Sequence, residues 1–290
     1  MIKKIVFLLP LLVIYSCSIN LKKVSDDSNI QKALLNIKAS DREYLLSFLS
    51  KHPAIISYNP NRDANCAKII KRNTNIIMIP LKYTDSPEMI EISIIKGLYI
   101  YNIMEKYNLN DYFYELEQLA EYSEMEYLLS YISTEKINND ELLKKEILPK
   151  LCGYMTSSEE FDNIIDEDTS RKDISCGYPL DKLETLKNYY AKLKASLSSI
   201  DSDEYFNLYY EKEMERVRRG EITREEAEKN YYYIFSEPQQ SLYRMQRKET
   251  YENIYSLSKF ESFYKKEIKR LRENRNKYND FIKYFPDCAK

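Results

Sequence analysis

The chain has 290 residues, with 44 basic and 46 acidic side chains, a formal net charge of -2 and 43% hydrophobic residues. That balance excludes general disorder and a multi-span membrane protein. Four glycines leave little room for glycine-dependent phosphate loops, and a single histidine, His52, excludes a zinc site built on two imidazoles.

The amino terminus reads MIKKIVFLLPLLVIYSC. Two lysines, an apolar run from Ile5 to Ile14 and the small residue Ser16 before Cys17 form the pattern of an export signal. The run is too short to cross a hydrocarbon core of about 30 Å as a helix. Ile14-Tyr15-Ser16-Cys17 resembles the lipobox of bacterial lipoproteins, with Tyr15 standing where that family has a small or branched residue. The resemblance implies cleavage after residue 16, acylation at Cys17 (palmitate among the chains) and a membrane partner held through this anchor. An ordinary secretory signal is the other reading. Ser18 after the cysteine is similar to lipoproteins sent to the outer membrane in a cell with two membranes; otherwise the outer face of the cell membrane is expected. Two or more acyl chains give stable anchoring where one is marginal. Residues 17–30 are polar and read as a tether.

Helical spacing follows in IQKALLNIKASDREYLLSFLS from Ile30, interrupted at Ser40 and Asp41. Two strand-like pieces come next: one in HPAIISYNPNRD, then NIIMIPLKY, where the isoleucines and Pro80 disfavour a helix. Ser86 as cap and Pro87 in the first turn open a helix that runs to about Tyr107. Its apolar residues cover more than half its circumference, so it is expected to be buried, with Gly97 marking a close helix crossing. A second helix, Asp111 to Tyr131, carries Glu117, Glu121 and Glu124 at i, i+4 and i+7 on one face. These are the candidate polar site, read as an exposed, solvated or Lys-paired face. A short helix then ends near Pro149.

The carboxyl half is nearly all helix. Leu183, Leu186, Tyr190, Leu193, Leu197 and Ile200 make an a/d seam that predicts an internal helix hairpin. Gly220 terminates the next helix, Thr223 with Glu226 is a capping box, Ser236-Glu237-Pro238 starts another helix, and a final long one is expected near 250–284. Lys259 to Lys283 holds nine basic against four acidic residues, read as a solvated face, with a surface for a polyanion or lipid head groups as the other reading. Nothing in the overall charge balance points to a nucleic-acid partner, and none is expected.

The fold class expected is therefore mainly α: a multi-helix domain with a small two-stranded β element near residues 54–82. The organisation is 1–16 signal, 17–30 tether, 31–150 helical part with short strands, 151–179 polar loop, and 180–290 helical part packed as one unit with 31–150.

Export bears on the cysteines. With Cys17 assigned to lipid, Cys66, Cys152, Cys176 and Cys288 form an even set that permits two disulfides. Cys152 and Cys176 sit in the similar strings LCGY and SCGY, and pairing them leaves Cys66 with Cys288. Free buried thiols are the alternative. A four-thiolate metal cluster is disfavoured because no close CxxC pair exists.

The order of NIIMIPL, SPEMIEISIIKGLYIYNIMEKY and YELEQLAEYSEMEY resembles the core of a zincin metallopeptidase over residues 75–131. In that comparison Ile95, Lys96 and Tyr99 stand where the family carries the histidine, glutamate and histidine of HExxH. The resemblance implies a scaffold without a metal shell or a general base. No catalytic residue, metal or cofactor is assigned. The functional expectation is an envelope lipoprotein with a non-enzymatic binding or structural role, toward an envelope protein or glycan. A degenerate metallopeptidase-like hydrolase and a carboxylate-dependent glycan hydrolase are the alternatives.

Overall fold

The computed structural model describes residues 20–64, 67–71, 73–110, 112–156, 185–201, 203–234, 237–275, 277 and 283–285. It is mainly α, a multi-helix domain with a small three-stranded β element. A helical turn, α1 (Leu21–Val24), precedes α2 (Ser28–Lys38) and α3 (Glu43–Leu49). Asp27 caps α2 by accepting from the N–H groups of Asn29 and Ile30 at 2.9 and 3.0 Å. Within the polar stretch 18–30, Leu21–Val24 is folded and Val24 is buried.

The sheet departs from the two-stranded expectation. It contains β1 (Ala54–Asn59), β2 (Lys68–Ile70) and β3 (Asn75–Pro80) in the order β1-β3-β2. Strand β1 runs parallel to β3, with Ile56 opposite Ile77, and β2 pairs antiparallel to β3, with Ile69 opposite Ile77. The extra strand is only three residues long, and a pattern of period two cannot declare itself over three positions.

Helix α4 (Pro87–Lys106) lies on this sheet and is buried along most of its length. A Cβ at Gly97 would stand 2.5 Å from Ile77 Cγ2 and 3.3 Å from Ala67 Cβ. The close crossing expected at Gly97 is therefore a helix on a strand rather than a helix on a helix. Ser86 precedes α4, but its hydroxyl donates to Asp140 at 3.1 Å and caps nothing. After a reversal at Asn108, where φ is +50°, α5 (Tyr114–Tyr131) packs along α4. Helices α6 (Thr134–Asn139), α7 (Glu141–Glu146) and α8 (Leu148–Thr156) follow. The short helix expected to end near Pro149 ends at Glu146, and Pro149 itself lies in the first turn of α8, where proline's missing N–H is unneeded.

In the carboxyl half, α9 (Leu186–Asp201) packs against α12 (Glu237–Arg275), whereas α10 (Asp203–Arg218) pairs with α11 (Arg224–Ile234). The hairpin expected of the seam Leu186, Tyr190, Leu193 and Leu197 is thus a pairing with a distant helix. Gly220, at φ +73°, ends α10, and Thr223 with Glu226 forms the capping box of α11. The two helices expected after Ser236 are one helix of 39 residues, since neither glycine nor proline interrupts the chain between Pro238 and Arg275. One core cluster joins α2, α4 and α5 to Leu186, Leu257, Phe260, Tyr264, Ile268 and Leu271. Among the described residues no helix is long and apolar enough to cross a membrane.

The expectation of two disulfides is corrected. No two cysteines stand at bonding distance among the described residues, of which Cys152, half-buried in α8, is the only cysteine. Cys17, Cys66, Cys176 and Cys288 lie outside the described residues, as do 157–179 of the polar loop and the first residues, 180–184, of the helical part after it. Cys152 is not a free thiol, but the pairing read from matching local strings is not carried forward.

Candidate functional site

Where α4 faces α5, the buried apolar surface is interrupted by one lysine. Lys96, 1% exposed, donates to Glu117 Oε1. Its ammonium lies 3.6 Å from Glu121 Oε1 and 4.0 Å from Glu124 Oε2. The spacing of the three glutamates at i, i+4 and i+7 puts them on one stripe of α5. That stripe is turned inward, so the exposed face expected from the sequence is instead the buried seam between two helices, with Glu117 at 2% and Glu124 at 4% exposure. Tyr112, just before α5, donates its hydroxyl to the second oxygen of Glu117.

Three carboxylates share one ammonium, and the protonation equilibria reflect it. Burial opposes the charge of Lys96, but Glu117, Glu121 and Glu124 outweigh it and hold the ammonium well above the usual lysine range. Burial pushes the Glu121 carboxyl up to about 7; Lys96 pulls it down, and Glu117 reinforces the rise. Two phenols border the cluster. Tyr83 is raised by burial and then by Glu146 and Glu124, and Tyr114 by burial and then by Glu121. Both remain hydroxyl donors at physiological pH.

The remaining carboxylates of α5 reach other helices. Glu115 accepts from the backbone N–H of Leu186 at 3.1 Å, placing a carboxylate at the start of α9, where the helix dipole favours it. Glu126 accepts from Arg42, from Arg270 at 3.3 Å and from Asn274 at 2.8 Å. Burial raises its pKa, but Arg42 and Arg270 hold it below the usual carboxylate range. On α4, Glu91 accepts from Asn36 and from Tyr127 at 3.2 Å, and burial raises its pKa.

The residues matched to the metallopeptidase motif divide. Ile95 is fully buried, and Tyr99 donates to Glu267 on α12 at 3.3 Å, away from the glutamate stripe. Lys96 alone turns to Glu117. This set does not fit zinc: the matched positions offer an alkyl group, an ammonium and a phenol, and the ammonium fills the space the carboxylates face. Among the described residues no group of three or more His, Cys, Asp or Glu is arranged to hold a metal ion. His52 stacks on Phe48 with ring centroids 4.4 Å apart and places Nδ1 3.5 Å from Glu105. Sequence reasoning missed the burial of Glu91, Glu115 and Glu126, each with its own partners. A signal for burial did exist in Lys96 itself, since a cation inside a helix apolar all round needs a buried counter-charge.

Comparison with protein-family models, with curated proteins and with solved structures finds nothing that matches this chain.

Proposed function

We propose that the chain is an exported lipoprotein, acylated at Cys17 and held at an envelope membrane, with a binding or structural role rather than a catalytic one. The observation that carries the anchor is the order of Lys3 and Lys4, the apolar run Ile5 to Ile14, and Ser16 before Cys17, with Ser18 favouring the outer membrane of a two-membrane cell. The inward spending of charge supports a non-catalytic role. Glu115, Glu117 and Glu126 are each engaged by a helix amide, an ammonium or guanidinium groups inside the fold.

The test is the intact mass of the protein extracted from membranes. A chain beginning at Cys17 and carrying acyl groups is expected, and an acylated product of the same mass from Cys17→Ala would defeat the reading. Peptidase and glycosidase profiling tests the role. An activity abolished by Glu117→Gln with an unchanged helical spectrum would make the protein a hydrolase.

A second reading, a metallopeptidase-like scaffold stripped of its motif, is favoured by one observation: the side chain at the position of the family's glutamate, Lys96, bonds a carboxylate of the following helix. Stoichiometric zinc retained after dialysis would oppose it.

A further inference from the structure

The polar stretch 17–30 reads as a tether, and fully extended it would reach about 45 Å. Most of it is not available for that. Leu21 packs against the core, Val24 belongs to it, and Gln31 Nε2 donates to the carbonyl of Ser25 at 2.8 Å, so the fold already begins at α1. From Cys17 to Leu21 the chain can span about 14 Å at most. The polar layer of one leaflet takes up about 5–8 Å of that reach. An acyl group on Cys17 therefore brings α1 down to the lipid surface.

Helix α1 packs at the outer edge of β1, an edge strand of the sheet. The sheet has one covered face and one open face. Ile77 meets Gly97 of α4, so Ile76 and Met78 on either side of it project from the other face. The strand register carries this parity across the sheet. Ile55, Ile76 and Ile70 form one row over all three strands, and Ser57, Met78 and Lys68 form the next. Ile55 is 42% exposed, and Ile76, Ile70 and Met78 are half-buried, whereas Ile56, Ile77 and Ile79 on the α4 side are fully buried. The charge on the entering segment is balanced, Lys22 and Lys23 standing against Asp26 and Asp27.

We propose that the domain rests on the bilayer that holds its anchor, with α1 and the open face of the sheet against the lipid surface, instead of standing clear of it on a tether. The inference rests on the acylation of Cys17 proposed above and specifies the surface that meets the membrane. A row of three isoleucines is too small a face to hold a free protein on a membrane. A tethered one needs less, because a short connection presents the face to the lipid at an effective concentration on the order of millimolar. With the charge of the entering segment balanced, the contact depends on the apolar row and not on the sign of the head groups.

The test puts a photoreactive benzophenone side chain in place of Ile55 in the full-length, acylated protein, reconstituted in phosphatidylcholine vesicles, and reads lipid adducts by mass. The control position is Lys269, 78% exposed on α12, a helix that packs against α5 and α9. The position of Ile55 should give at least tenfold more lipid adduct than that of Lys269, with the circular dichroism of both variants unchanged. Adding phosphatidylglycerol to the vesicles should alter the yield less than twofold. A Gly/Ser linker of about twenty residues inserted after Ser18 should lower the yield at Ile55 about tenfold, as effective concentration falls with the −3/2 power of length. Equal yields at the two positions, indifference to the linker, or a yield that follows the phosphatidylglycerol content would overturn the proposal. So would adducts at Ile55 made with a second copy of the chain in place of lipid. The intact mass separates the two readings: a chain without acyl groups defeats the anchor and this contact together, and an acylated chain with equal yields defeats the contact alone.

Discussion

Helices α5 and α12 pack together yet use charge in opposite ways. Along α12, Lys248 with Glu252, Glu261 with Lys265, and Lys269 with Glu273 pair at i, i+4 on a wet surface. Helix α5 holds five glutamates and no basic residue, so its counter-charges come from elsewhere in the fold. Lys96 comes from α4, Arg42 from the residue before α3, Arg270 from α12, and the first amide of α9 completes the set. A local pair on α12 supports its own helix and is screened by water. A buried carboxylate on α5 is tolerable only when a particular distant helix arrives in a particular register. The same side-chain chemistry thus stabilises an element in one case and specifies tertiary arrangement in the other.

The strongest attempt to break this contrast is Lys96→Met. It leaves three carboxylates in the α4–α5 seam without their ammonium and is expected to cost about 3–5 kcal/mol in denaturant unfolding. Adding Glu117→Gln should restore part of the loss, and strict additivity of the two changes would show that the pair is not coupled.

The pH dependence of stability comes next. The Glu121 carboxyl titrates near 7 in the fold against an ordinary value of 4.5. Between those values the folded state keeps a proton that the unfolded chain has released. The stabilisation linked to this group is full below about 4.5 and disappears as pH rises through 7, with a slope of up to about 1.4 kcal/mol per pH unit. Lys96, Glu117, Glu124 and Lys150 act on the same group, so the informative quantity is the difference between the unaltered chain and Glu121→Gln. Urea unfolding at pH 5 and pH 7.5 should show a smaller fall for the variant, and parallel behaviour would refute the shift.

Gly97→Ala tests the support on which Lys96 is mounted. The new methyl meets Ile77 on β3, an overpacking cost of about 1–3 kcal/mol, against a helix-propensity gain of about 1 kcal/mol. A net loss of about 1–2 kcal/mol in thermal or urea unfolding is expected. At the other extreme, Lys248→Ala on α12 should change stability by less than about 0.5 kcal/mol.

The regular parts of the fold were legible wherever a local signal decides them. Pro87 opens α4, Gly220 stops α10, Thr223 and Glu226 cap α11, and the stripe of Glu117, Glu121 and Glu124 follows from helical periodicity alone. What local pattern could not supply was partnership. Strand β2 exists because β3 offers an edge to Lys68–Ile70, and the parallel pairing of β1 with β3 joins segments whose own patterns do not say which way they run. The burial of the glutamate stripe depends on Lys96, 21 residues earlier in sequence, and glutamates at these spacings read the same whether wet or dry. Likewise the seam of α9 announces an apolar face without saying that α12 covers it.

Lys96 also has a consequence for how the α4–α5 seam responds to its surroundings. A cluster of carboxylates neutralised by a bound ion has an occupancy: it empties under chelators and exchanges one ion for another as supply changes. Here the neutralising charge is part of the backbone's own side-chain complement, present at unit stoichiometry from synthesis onward. It leaves only when α4 separates from α5. The charge that holds the seam can therefore be withdrawn only by opening the seam itself.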